Sequence, residues 1–349
     1  MFRLGFVGTG LISWAHGLGL QALIEGGSID ADITVVHDLD PNRARGFAEA
    51  VGARPVESAE AVVAESDAVW ICTPTSAHRA AVELAVAAGR AIFCEKPLAT
   101  DETAARDLVE LVDGAGVAAQ VGLVLRSAPV FGALRDLVQG GTLGRPMAAI
   151  FRDDQYFPIQ GTYGSTWRSD VTQAGGGCLI EHSIHDVDIL RFCFGEVGTV
   201  AGRTGNFAGH EGIEDRATLT MSFASGLEAH LTSVWHQILT RGSTRRVEVF
   251  FEQGMVSFVN EWIGPLRIET SAGTENRPCP PPEWVDALPF KGDVGLHVAP
   301  YVEADRAFVD AIAAGRAPEP SLHDALVAHQ LVQAAYDSAA DGGRPIPLG

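Results

Sequence analysis

Arg3-Leu4-Gly5-Phe6-Val7-Gly8-Thr9-Gly10-Leu11-Ile12-Ser13 is the stretch on which the reading of the whole chain turns. A short apolar strand, Arg3 to Val7, runs into a turn with two glycines, and a helical pattern from Leu11 to Glu25 follows. Gly8 and Gly10 occupy the first two positions of the G-x-G-x-x-G fingerprint, and Ser13 replaces the third glycine. Such a turn lets backbone N–H groups approach a pyrophosphate at a helix N-terminus. Serine is small enough to keep helix and strand close. The pattern alone is weak, but a strand before it and a helix after it supply the context it needs. Gly8, Thr9, Gly10, Leu11 and Ile12 are therefore candidate contacts for a dinucleotide.

The rhythm continues outward from that turn. Ile33 to His37 reads as a second strand and Pro41 to Val51 as a helix, with Asp40 as N-cap ahead of a proline at N1. Ala68 to Cys72 and Ala91 to Cys94 are continuous apolar runs, as expected of strands buried on both faces. Ala77 to Ala88 and Asp101 to Asp113 read as helices, and Ala118 to Leu123 as a further strand. This β-α alternation predicts an α/β fold that begins with a doubly wound parallel sheet of the Rossmann type over residues 1–124. Asp38 ends the second strand, where an acid accepts from the adenosine ribose hydroxyls and repels a 2′-phosphate. Asp40 is a second acid in the same turn, and Arg43 lies close behind. NAD is the expected cofactor, with NADP left open.

The pattern then changes. One helix, Gly177 to Phe194, precedes strand candidates at Arg216–Phe223, Leu227–His236, Arg245–Phe251, Met255–Val259 and Leu266–Thr270. Strands without intervening helices predict an α+β domain over 125–349 with a mostly antiparallel open sheet. Two closing helices, Tyr301 to Ala314 and Ser321 to Ala340, would then be free to pack back on the first domain.

The bulk numbers exclude several functions. The chain has 349 residues, 46% of them hydrophobic, and a formal net charge of -19. That surface repels nucleic acid and anionic lipid, and no basic stripe offsets it. No run is long and apolar enough for a membrane span. The start reads as a strand and not as a signal peptide, so a cytoplasmic protein is expected. Five cysteines without a C-x-x-C pair suggest reduced thiols. Of 25 basic residues only Lys96 and Lys291 are lysines. A GC-rich genome that favours arginine codons is the plain cause of such an imbalance. Still, a lysine kept against it suits a place where a compact amine is needed and a planar guanidinium fails.

Lys96 lies in Glu95-Lys96-Pro97, directly after the buried strand Ala91 to Cys94. Ligands of such sheets bind at the carboxyl ends of the strands, which places Lys96 at the cofactor crevice. With the glycine turn, Glu95-Lys96-Pro97, and Gly175-Gly176-Gly177 leading to Glu181, His185 and Asp188, the chain resembles the Gfo/Idh/MocA oxidoreductases. That family includes inositol and sugar dehydrogenases. Thr73-Pro74 with His78 resembles the family's loop over the cofactor.

The resemblance implies that Lys96 contacts the substrate hydroxyl and the nicotinamide ribose, with Glu95 beside it. It matches His185 to the family's histidine. Glu181 stands where an aspartate is common, so the extra methylene leaves its role between catalysis and positioning. Arg126 and Trp167-Arg168 resemble segments near the substrate. The spacing of Glu181, His185 and Asp188 (i, i+4, i+7) predicts one helical face. A histidine there suits proton transfer near neutral pH, and a lysine suits stabilising charge on oxygen. The expected activity is hydride transfer between nicotinamide and a secondary alcohol or ketone of a sugar, inositol or related polyol, in a homodimer or homotetramer. A non-catalytic dinucleotide sensor and an NADPH-dependent ketone reductase are the alternatives. Glu181-His182-Ser183-Ile184-His185 fits neither zincin spacing, so no metal is expected.

Overall fold

Short apolar runs alternating with amphipathic segments build a parallel sheet in the N-terminal part of the chain. The computed structural model describes residues 1–259, 264–290 and 293–348, so Lys291 lies outside the described residues. The chain divides into two units, Met1–Val124 with Pro282–Leu326, and Leu125–Pro281 with Val327–Gly349.

In the first unit, strands β1 (Phe2–Val7), β2 (Ala31–His37), β3 (Arg54–Pro55), β4 (Ala68–Ile71), β5 (Ala91–Cys94) and β6 (Ala119–Val121) alternate with helices. The helices are α1 (Leu11–Glu25), α2 (Pro41–Val51), α3 (Ala59–Glu65), α4 (His78–Ala87) and α5 (Glu102–Ala115). Strand order is β3-β2-β1-β4-β5-β6, with every pair parallel. The order reverses between β1 and β4, and that switch point is where such sheets hold ligands. Helix starts follow local chemistry: Asp40 accepts from Asn42 N–H at 2.9 Å, and Asp101 from Ala104 N–H at 2.9 Å.

β4 is buried throughout, which is why it reads as an unbroken apolar run. Trp70 on β4 stacks between Phe6 and Phe93, with ring centres 5.8 and 5.7 Å away, and meets Phe308 edge-on at 5.2 Å. Phe308 belongs to the helix Asp293–Ala313, which packs on α1. That helix begins before Tyr301, its start in the sequence reading, and carries Pro300 inside it.

The second unit contains α6 (Pro129–Gly140), β7 (Pro146–Tyr156), α7 (Val171–Ala174), α8 (Cys178–Glu181) and α9 (Ile184–Phe194). There follow β8 (Val197–Gly205), β9 (Arg216–Phe223), β10 (Glu228–His236), β11 (Thr244–Phe251), β12 (Gly254–Val259), β13 (Leu266–Thr270) and β14 (Gly273–Arg277). Later come α10 (the helix Asp293–Ala313 of the first unit), α11 (Leu322–Ala340) and β15 (Ile346–Pro347). Among the described residues the second unit's strands form one nine-stranded sheet in the order β14-β13-β12-β11-β7-β10-β9-β8-β15. All its pairs are antiparallel except β7 with β10. β9, β10 and β11 alternate between buried and more exposed positions, so one face is covered and the other open. α8 lies against β9 and β10 on the covered face.

The second unit departs from the sequence expectation at its central strand and at the helix that precedes its later strands. β7, at the centre of the sheet, was not anticipated, because Arg152-Asp153-Asp154-Gln155 interrupts its apolar alternation. The helix expected over Gly177 to Phe194 is two helices, α8 and α9, separated at His182-Ser183. All five cysteines are free thiols and buried. No described helix is long and apolar enough to cross a membrane.

Candidate active site

The glycine turn opens where β1 meets α1. Gly8 has φ +89°, and a Cβ there would lie 2.7 Å from the backbone of Cys72, so both conformation and space demand glycine. At Gly10 a Cβ would meet nothing within 4 Å, which leaves open space at the helix start. No side chain caps α1, so its first N–H groups remain available to an anion. Ser13 is fully buried and its hydroxyl donates to the Gly8 carbonyl at 2.8 Å, which ties the third fingerprint position back to the turn. Leu11 is exposed and Ile12 half-buried. Asp38 stands at the end of β2 and accepts from Thr9 N–H (2.8 Å), Thr9 Oγ1 (3.1 Å) and Asp40 N–H (2.8 Å). A carboxylate offers about four acceptor sites, so room remains for a ribose hydroxyl.

Two more loops leave the same edge of this sheet. After β4, Thr73 Oγ1 is buried with no hydrogen-bond partner among the described residues, next to Pro74. A buried hydroxyl of that kind calls for a partner supplied by a ligand or water. His78 is buried, with Nε2 3.1 Å from the Thr73 carbonyl and Nδ1 3.3 Å from the Leu98 carbonyl. It ties the loop after β4 to the turn after β5. In that turn the Lys96–Pro97 bond is cis. Glu95 is buried and accepts from Lys96 N–H at 3.2 Å, while Lys96 is half-buried. These features suit a bound dinucleotide: open space at Gly10, uncapped N–H groups, a buried hydroxyl without a partner among the described residues and an acid at the end of β2 with acceptor capacity to spare.

In the second unit the glycine run has a steric cause. A Cβ on Gly177 would lie 1.8 Å from the Glu214 carbonyl oxygen. The Glu214 carboxylate accepts from Gly177 N–H (2.8 Å), Leu179 N–H (2.9 Å) and Tyr336 OH (3.0 Å), capping α8. α8 then stops at Glu181. Ser183 donates to Ser233 Oγ at 2.6 Å, and His182 turns to Asp153, Nε2 to Oδ2 2.7 Å. The single helical face drawn through Glu181, His185 and Asp188 therefore does not exist, because these contacts interrupt it. Each of the two carboxylates is matched with an arginine instead. Glu181, buried, accepts from Arg168 Nε at 3.0 Å, and that guanidinium lies 4.4 Å from the centre of the Trp167 ring. Asp188 receives both Arg126 Nε (2.8 Å) and Nη2 (2.5 Å). His185 sits in the first turn of α9 and is 5% exposed.

Sequence reasoning missed a buried ionic group beside His185. Arg245 donates from Nε to Asp186 at 2.7 Å, and its Nη2 lies 2.9 Å from Asp153 Oδ2. Burial pushes the Asp186 carboxyl up to about 7; Arg245 pulls it down and Asp153 raises it further. The signal was present. Arg245 occupies an inward position in the alternation Arg245, Val247, Val249, Phe251, and an inward arginine requires buried acids. Among the described residues no group of three or more His, Cys, Asp or Glu could hold a metal ion.

A glycine turn at the switch point and an acid closing β2 define the class of dinucleotide-binding folds, with Lys96 following β5 on the same sheet edge. Comparison with known proteins agrees. The family described as "Oxidoreductase family, NAD-binding Rossmann fold" matches residues 2–123, and "GFO/IDH/MocA C-terminal domain" matches 131–257. The chain belongs to the Gfo/Idh/MocA family of NAD-binding oxidoreductases. An inositol 2-dehydrogenase of Rhizobium meliloti (strain 1021) is 30% identical over 348 residues, 97% of either chain. A 1,5-anhydro-D-fructose reductase of Ensifer adhaerens is 29% identical over 80% of this chain and 84% of its own. The solved levoglucosan dehydrogenase, in complex with NADH and levoglucosan, shares the fold at a TM-score of 0.88 and 20% identity, covering 100% of this chain and 99% of that one.

Proposed function

We propose that the protein oxidises a secondary alcohol of a sugar, inositol or related polyol to the ketone with NAD, or runs the reverse reduction. The observation that carries this reading is the placement of Lys96 at the carboxyl end of β5, on the sheet edge where the Gly8–Gly10 turn also opens. The nicotinamide, when bound, supplies the hydride chemistry. Gly8, Thr9 and Gly10 present backbone to the pyrophosphate, with Leu11 and Ile12 beside them. Asp38 accepts from the adenosine ribose and disfavours a 2′-phosphate. Thr73, Pro74, His78 and Glu95 shape the loops over the cofactor. Lys96 polarises the reacting oxygen and stabilises negative charge on it. His185 exchanges the proton. Glu181, held by Arg168, orients the substrate, with Trp167 and Arg126 contributing to its binding. The relatives that act on an inositol and an anhydro-sugar support the substrate class.

The test is a screen of polyols and sugars, myo-inositol included, that follows reduced nicotinamide. Turnover with NAD is expected. NAD binding without turnover of any substrate would favour a sensor, and tighter NADPH than NADH binding would remove the Asp38 assignment. With a substrate in hand, Lys96→Arg should keep NAD binding and lower kcat roughly 100-fold or more, because the larger fork cannot occupy the ammonium's place. Full activity would exclude Lys96 from the mechanism. His185→Ala should lower kcat about 100-fold and alter its pH profile, and an unaltered profile would exclude His185 as the base.

A further inference from the structure

Behind the Glu95-Lys96-Pro97 turn, within the first unit, buried polar side chains form one continuous line. Trp70 Nε1 donates to Asp305 Oδ1 at 2.8 Å. The two Asp305 oxygens lie 2.8 and 2.9 Å from His16 Nδ1, and His16 Nε2 lies 3.0 Å from Glu95 Oε1. The other Glu95 oxygen accepts the Lys96 backbone N–H at 3.2 Å. His16 and Asp305 are 0% exposed and Glu95 5%. The space is shaped for the carboxylate, since a Cβ on Gly122 would lie 2.5 Å from Glu95 Oε1.

Buried ionic lines often add no more stability than a well-packed apolar core, and the gain they offer in its place is defined geometry. Both ring nitrogens of His16 face carboxylate oxygens, and with both acids ionised both nitrogens donate and the ring is an imidazolium. Burial opposes that charge, but Asp305 and Glu95 outweigh it and hold His16 at about 10. A cation with both N–H groups engaged has no choice of tautomer and one ring orientation.

We propose that His16 is a positioning residue for Lys96: it clamps the Glu95 carboxylate, which in turn fixes the backbone of the lysine. The inference rests on the assignment of Lys96 made above and deepens it. His16 lies on α1, whose first residue follows the glycine turn, so one ring registers the cofactor helix against the reactive lysine.

The chain has only two lysines, and this makes the test direct. Protein labelled with ¹⁵N-lysine gives two lysine amide signals, and Lys291→Arg assigns the one from Lys96. In His16→Gln the Lys96 amide should shift and exchange with solvent about tenfold faster, the loss of one hydrogen bond. Its melting should remain cooperative and its NAD Kd within about threefold of the parent. Glu95→Gln, isosteric and uncharged, carries the same amide expectation should His16→Gln not fold. An unmoved Lys96 amide in the folded variants would overturn the clamp.

With a substrate, His16→Gln should lower kcat about tenfold with little change in KM. In a Lys96→Ala background it should lower kcat no further, because residues that act through one another are not additive. A full additional loss there would overturn the clamp and leave Lys96 in its role. Undiminished turnover by Lys96→Ala itself would instead remove the lysine from the mechanism, whatever the amide signal shows.

Discussion

The candidate site is a set of residues whose ordinary behaviour is changed by what surrounds them. Asp38 spends three of its acceptor sites on Thr9 and Asp40, which holds it rigid at the end of β2. Glu181 and Asp188 are each matched by an arginine, so neither is a bare buried charge. Asp186 is different, because its burial outweighs the attraction of Arg245 and its carboxyl rises from 3.8 to about 7. The folded protein therefore keeps a proton that the unfolded chain releases. The stability this adds is fully present below the unfolded value near 3.8 and is lost as pH rises through the folded value near 7. Asp186→Asn should flatten the dependence of melting temperature on pH across that window. Equal slopes in the variant and the parent would show that Asp186 does not carry this linkage.

At the level of elements, legibility in the sequence followed periodicity. β1, α1, α2 and β5 were readable because apolar runs, a capping aspartate and glycine stops agree with one another. β7 was not, since its inward Asp153 is satisfied by Arg245 and His182, residues distant in sequence. The break between α8 and α9 was hidden for the same reason: Ser183 finds Ser233 and His182 finds Asp153. The residue types of the site were legible from motifs, while their mutual geometry needed long-range partners. The glycine run shows the point. Gly177 is required because the Glu214 backbone passes 1.8 Å from where a Cβ would be. Gly177→Ala should cost about 2–3 kcal/mol by forcing that contact apart. Thermal unfolding should then fall by roughly 5–10 °C. A melting temperature unchanged from the parent would mean that α8 can move aside freely.

Within the second unit, one face of the nine-stranded sheet carries exposed apolar side chains. Ile150, Phe250 and Val259 stand on that face with 45%, 39% and 54% exposure, beside Glu248 and Arg246. Exposed apolar side chains grouped on a sheet suit association with a second copy. We expect the purified protein to be a dimer or tetramer by light scattering, and Ile150→Glu with Phe250→Arg to be monomeric with unchanged circular dichroism. A monomeric parent protein would end that expectation. At -19 per chain, copies also repel, so salt should favour association. The first unit is assembled from 1–124 and 282–326, and the ribosome delivers its entire parallel sheet long before Val302, Asp305 and Phe308 exist. Until then Trp70 and Phe93 lack their apolar cover, and the cation at His16 lacks the acid that sustains it. The nascent sheet must wait while residues 125–281 of the second unit are synthesised. Anyone grafting this nucleotide-binding half onto another protein has to transplant two separate gene segments.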